Sequence, residues 1–384
     1  MPHDLFDPVV PLNETDPQFR TMLEGPGHQA ARQLMNAIFA DFNDVDRTFV
    51  KMFQTTGFSP RVFELAVFAY LEEQHLEIDR THAAPDYVVR GDHPVAIEVS
   101  TAMPADSAPP PGTAGFSWLP DDLPADDKAF VFQMRKVLYA KLNKRDAQGR
   151  AYWEKPHVQG MPFVIAVGAF HNDHAQLHPM GLIGQYLYGQ RAVFGTDADG
   201  NRTITHELIE EHESNGRIMP SGLFRQPEAA NLAGVLFSNA HTAAMFNRIG
   251  VERGYGSSEV AMCRVGTHYN PDPHAVEPLK FGYVVGDRPP GERETFAEGL
   301  HLFLNPWATT PLSPAALPNL TYHELENGAI MANYSGVLEP FASKTMIFEG
   351  EGCDDYARYI QMQFLGLLPV EPESVPDPSA EFRA

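Results

Sequence analysis

The segment 94–101 (PVAIEVST) is the clearest strand in the chain, with Val95, Ile97 and Val99 alternating against Ala96, Glu98 and Ser100. It also sets the tightest constraint on the fold, because Glu98 interrupts a stretch that otherwise looks buried. A buried carboxylate without a partner is costly, so whatever fold forms must bring one to Glu98, and a metal ion would serve. Gly91-Asp92 is a hairpin turn signal. It joins this strand to residues 86–90 (DYVVR), a second strand that opens on Asp86 just after Pro85. The hairpin lets both carboxylates converge on one sheet edge. Magnesium takes oxygen ligands of this kind, and a divalent cation assists phosphodiester hydrolysis by polarising the phosphate and activating a water.

The elements around the hairpin alternate in type. Residues 28–42 carry Ala30, Leu34, Ala37 and Ile38 at helical spacing. A second helix is expected from Asp44 to Gln54. A third is expected over residues 60–75, with Ser59 as N-cap and Pro60 at its first position. Residues 76–80 read as a weak strand, residues 126–144 as a strong helix, and residues 162–169 (PFVIAVGA) as a buried strand. The order is helix, three strands, helix, strand. A Pro-rich stretch at 102–125 is expected to be a loop. Beyond residue 215 the pattern turns strand-rich: 233–238, 260–265, 281–285, 300–304 and 336–348. The predicted organisation is a helical lead (1–58), a core (59–215), a strand-rich portion (216–367) and a disordered Pro/Glu-rich tail (368–384).

Composition narrows the function classes. No apolar run approaches the ~20 residues needed to span a bilayer, and no signal peptide is visible at the start, so a reducing cytoplasm is the expected setting. Two cysteines, Cys263 and Cys353, make neither a disulfide framework nor a zinc pair. The net charge of −22 argues against tight non-specific DNA binding by the whole surface and leaves room only for a local basic groove.

Pro85-Asp86, followed after the hairpin by Glu98-Val99-Ser100, resembles the PD-(D/E)XK nuclease superfamily. The resemblance covers roughly residues 59–170 and includes a helical acid, Glu64, in RVFELAVFAYL. The segment YWEKPHVQGMPFVIAV is similar to bacterial proteins of this sort. The resemblance implies an α/β, restriction-endonuclease-like mixed sheet flanked by helices. It implies Mg2+ or Mn2+ bound by Asp86, Glu98 and the Val99 carbonyl, with Glu64 acting on the metal directly or through water. It implies a nucleic-acid substrate. The superfamily's lysine, two residues after the glutamate, is Ser100 here. Related enzymes bring that lysine from the following helix, where Lys136, Lys141 and Lys144 are the candidates and Lys141 is favoured. His157 is a further candidate substrate contact. The leading expectation is a metal-dependent nuclease or phosphodiesterase. The alternative is an inactive nuclease-like protein serving as a binding module.

Other motifs are weaker. His206 and His212 in HELIEEH do not have the four-residue spacing of a zinc-protease helix, so a charged amphipathic segment is expected there. His171, His174 and His178 would share one face of a helix. Cys263 reads as a core strand residue. Residues 301–307 (HLFLNPW) read as a strand ending in a turn at Asn305-Pro306, with Phe303 and Trp307 expected in the core and a binding surface as the alternative.

Overall fold

The computed structural model describes residues 4–45, 47–102, 123–197, 200–268, 270, 277–335 and 340–368. Its strands are β1 (Ile78–Asp79), β2 (Tyr87–Val89), β3 (Val95–Ala102), β4 (Phe163–Ala169), β5 (Gln190–Thr196), β6 (Arg202–Leu208), β7 (Glu211–Ser214), β8 (Arg217–Pro220), β9 (Gly234–Ser238), β10 (Val260–His268), β11 (Leu279–Val284), β12 (His301–Leu304), β13 (Thr321–Glu326), β14 (Ala329–Asn333) and β15 (Pro340–Glu349). Its helices are α1 (Pro17–Glu24), α2 (Gln29–Phe39), α3 (Phe49–Gln54), α4 (Phe58–Glu73), α5 (Leu123–Leu142), α6 (Met180–Tyr188), α7 (Ala243–Glu252) and α8 (Cys353–Phe364).

A mixed sheet of eight strands runs in the order β1-β2-β3-β4-β9-β12-β13-β14. β1, β2 and β3 form an antiparallel meander, while β3, β4 and β9 are parallel. β12 runs antiparallel to β9, and β13 parallel to β12. The fold is therefore mixed α/β, and α4-β1-β2-β3-α5-β4 follows the element order read from the sequence. The sheet continues across residue 215, since β9, β12, β13 and β14 extend it.

Side-chain alternation assigns each face to its own core. Tyr87, Val95, Ile97, Val164, Ala166 and Leu236 pack under α2, α3, α4 and α7. Val88, Ala96, Phe163, Ile165, Val167 and Phe237 pack under α5 and α6. Every residue of β4 is buried, which explains its unbroken apolar run: helices cover both faces. Truncating Ile165 to Ala would cost about 2–5 kcal/mol in lost burial and cavity. Helix α4 is buried around its whole circumference from Val62 to Leu71, as befits a helix enclosed by the sheet and the N-terminal helices. A separate antiparallel sheet, β11-β10-β15, carries α8 on one face.

Several sequence expectations are corrected. Helix α4 starts one residue before Ser59, with Gly57 at the cap position and Pro60 inside the first turn. The second helix begins at Phe49, although the Asp44 carboxylate still accepts from the Phe49 amide at 3.1 Å. The segment containing His206 and His212 is the strand pair β6 and β7, each in its own hairpin. β13 and β14 were not anticipated: the buried positions of TYHELE are Thr321 and His323 rather than apolar residues, and AIMAN has no buried residue. Phe303 is buried, but Trp307 is 42% exposed, with the Arg225 guanidinium 5.1 Å from its ring centroid. Cys263 is buried in β10, where burial pushes its thiol up to about 11. The loop expected at 102–125 and the tail expected from 368 fall largely outside the described residues. No described helix is long and apolar enough to cross a membrane.

Candidate active site

The site forms where β2 stops short and leaves the second half of β3 without a partner on that side. β2 and β3 pair as Tyr87↔Ile97 and Val88↔Ala96. One step further in this register puts Asp86 opposite Glu98, on the sheet face that α5 covers. With no strand opposite Val99, its amide donates to Asp86 Oδ2 at 2.7 Å. A short meander strand thus places two carboxylates side by side and gives one of them a ladder amide.

Glu98 is 5% exposed. Its Oε1 accepts from Lys141 Nζ at 2.6 Å and from the Tyr152 hydroxyl at 2.7 Å. Its Oε2 is buried and has no hydrogen-bond partner among the described residues. Lys141 sits in the last turn of α5. Burial, then the charge of Glu98, raises the Tyr152 phenol well above its ordinary value and keeps it a donor.

Glu64 enters from α4. Its carboxylate pairs with Arg61 one turn earlier and lies 3.6 Å from Arg80 Nη2. Arg80 is stacked over Phe42, with its guanidinium carbon 3.5 Å from the ring centroid. The Tyr87 hydroxyl donates to the Glu64 backbone carbonyl at 2.7 Å, tying helix to hairpin. Asp86 makes no ion pair among the described residues. Burial raises its carboxyl well above the usual range, and the charges of Glu98 and Glu64 add to the effect. Glu64 is also raised, chiefly by burial, against the pull of Arg61 and Arg80. The three carboxylates expected from the sequence therefore share one electrostatic environment.

Of the candidate lysines, Lys141 reaches the carboxylates and Lys136 does not. Five helical residues rotate the side chain by about 140°, and Lys136 instead lines an open groove between α5 and the β7–β8 hairpin. His157 stands beside the loop leading to Asp86. Its Nε2 is 3.2 Å from the Ala84 carbonyl and its ring stacks on His82 at 3.8 Å. Burial, then the neighbouring His82, lowers its pKa. His171, His174 and His178 do not share a helix face, because a short 3-10 turn separates them. His178 Nδ1 is hydrogen-bonded to Asp127 Oδ1 at 2.8 Å, and its Nε2 lies 3.0 Å from Asp126 Oδ2, at the start of α5.

Arg61, Arg80 and Tyr152 were missed from sequence. Arg61 was readable as the i−3 neighbour of Glu64. Arg80 and Tyr152 arrive through tertiary packing and carry no local signal. Among the described residues, no three His, Cys, Asp or Glu side chains already stand as the ligand set of an ion; Lys141 and the two arginines hold Glu98 and Glu64. No family model matches the chain, and no curated protein or solved structure matches it.

Proposed function

We propose that this chain is a divalent-cation-dependent phosphodiesterase of the PD-(D/E)XK type, acting on nucleic acid. The observation that carries the reading is Lys141 on Glu98. It supplies from α5 the positive charge that Ser100 cannot supply from the strand, beside an Asp86 in register with Glu98. The element order α4-β1-β2-β3-α5-β4 supports the same reading.

The donor set fits a hard cation such as Mg2+ or Mn2+. Glu98 Oε2 is a buried acceptor without a donor among the described residues, and a cation would offset the burial, and then the charges of Glu98 and Glu64, that raise the Asp86 carboxyl. Asp86, Glu98 and the Val99 carbonyl would hold the ion, with Glu64 next to it. When bound, such an ion polarises a phosphate and lowers the pKa of a water. The protein's own contribution is orientation by the Val99 amide and Tyr152, and positive charge at Lys141 for the developing phosphate charge.

A second reading, an inactive nuclease-like binding module, is favoured by one observation: Lys141, Arg61 and Arg80 already neutralise the two glutamates. The deciding experiment is cleavage of single- and double-stranded DNA and RNA with Mg2+ or Mn2+. The enzymatic reading expects cleavage that disappears in Asp86→Ala and Glu98→Ala while both variants stay folded. Cleavage retained in both, or absent from the parent protein with either ion, overturns it.

A further inference from the structure

The largest fully buried side chain is a charged one, Arg264. On β10, Ala261, Cys263 and Val265 pack toward α8, so Arg264 points from the opposite face of the three-stranded sheet. Its Nη1 donates to Glu298 at 2.5 Å, with Glu294 and Tyr283 at 3.3 Å, and its Nε donates to Ser343 at 3.2 Å. Its Nη2 makes no hydrogen bond among the described residues. The residue lines a cavity of about 490 Å³.

A second, independent feature points to the same ligand charge. Thr242, Ala243 and Ala244, at the N-terminus of α7, line the cavity. The N-cap residue Thr242 makes no side-chain cap bond. A ten-residue helix therefore presents first-turn amides and the positive end of its dipole to the cavity. The remaining wall is mixed: Met22, Phe58 and Phe170 form an apolar patch, and Arg248, His241 and Glu298 line the cavity together with Arg264.

The place in the fold agrees. The cavity lies at the carboxyl ends of β4 and β9, next to Phe170 and Asn239. After β4 the chain passes to α6 on one face of the sheet, and after β9 to α7 on the other. Such a switch opens a crevice that ligands use in open α/β sheets. Repulsion of an anion is limited, because burial, then the charge of Glu294, pushes the Glu298 carboxyl up to about 7, and Arg248 clamps Glu294 through two bonds at 2.6 and 2.7 Å.

We infer that this cavity binds a small organic anion, its acidic head held between Arg264 and the N-terminus of α7 and its apolar or flat body against Met22, Phe58 and Phe170. Neither Asp86 nor Glu98 lines it, so the inference stands apart from the phosphodiesterase reading. Its volume is within the range of about 300–1,000 Å³ typical of small-molecule pockets.

The test is isothermal titration of the full chain in EDTA. The probes are the four nucleoside 5′-monophosphates and decanoate, which carry both head and body, and inorganic phosphate and adenosine, which carry one half each. The expected result is at least tenfold tighter binding of one two-part probe than of either half. A nucleotide or a fatty acid as that probe identifies the source of the anion. Arg264→Met should weaken binding at least tenfold. Because that change strands Glu298, Thr242→Asp is the companion variant: aspartate is a good N-cap, so the helix is kept while its carboxylate repels the ligand head. Asp86→Asn should bind as the parent does. No two-part probe exceeding the halves, or unchanged binding in folded Thr242→Asp, overturns the inference.

Discussion

Lys141 Nζ lies 2.6 Å from Glu98 Oε1, joining the last turn of α5 to the middle of β3. Lys141→Met leaves Glu98 buried with its counter-charge removed. The expected cost is roughly 1–3 kcal/mol of stability, read by urea unfolding, and a fall in cleavage of about 10²–10³-fold. Lys141→Arg should recover most of the stability and part of the rate. Equal cleavage by Met and Arg variants would show that the charge is structural only.

Mn2+ should raise the melting temperature of the parent protein and leave Asp86→Asn unchanged. At roughly a hundredfold excess over Kd, a ligand specific for the folded state adds about 2.7 kcal/mol. Scanning fluorimetry with and without EDTA measures it. An equal rise in Asp86→Asn would place the ion elsewhere.

Glu298 makes stability depend on pH in a direction opposite to ordinary carboxylates. Burial and Glu294 raise its folded pKa from 4.5 to about 7, against the pull of Arg264 and Arg248. The unfolded chain therefore loses its proton first. The protonated group's contribution is complete below about pH 4.5 and declines as pH rises through about 7. Glu298→Gln should flatten that decline and leave the variant more stable than the parent above pH 7. Chemical denaturation at pH 5, 6, 7 and 8 checks the slope. A parallel pH profile in the variant would assign the decline to other groups.

Gly266 of β10 pairs with Ser343 of β15. A Cβ there would lie 2.3 Å from the Ala342 carbonyl oxygen and 2.9 Å from Phe281 Cε1. Gly266→Ala should cost about 1–3 kcal/mol through overpacking. It should also loosen the wall that carries Arg264, so anion binding should weaken along with stability. Unchanged stability in urea would mean that the β10–β15 pair absorbs a methyl group without loss.

The carboxylates of the candidate site were legible because two of them are tied to a hairpin whose turn and alternation are both local. Glu64 was legible because a helix carries it. Lys141 was readable as one of three lysines on the right helix, though only packing separates it from Lys136. Arg80, directly after β1, and Tyr152, in a 3-10 segment, reach the site through tertiary packing that the local sequence does not mark. β13 was missed because its buried positions are the polar Thr321 and His323, and β14 because none of its residues is buried. The Arg264 network was invisible for a different reason. Its partners Glu294 and Glu298 sit in a loop thirty or more positions away, and a lone arginine in a strand gives no hint of whether it faces water or a cavity.

Gly27 donates its amide to Glu349 Oε1 at 2.8 Å, and Asn247 contacts His28 at 2.8 Å. The turn between α1 and α2 is thus fastened to β15 and to α7, so these parts of the molecule cannot separate without breaking both bonds. Met22 of α1 and Thr345 of β15 line the same space as Arg264. That space lasts only while the two regions stay joined, so an occupant would act as a clasp between them.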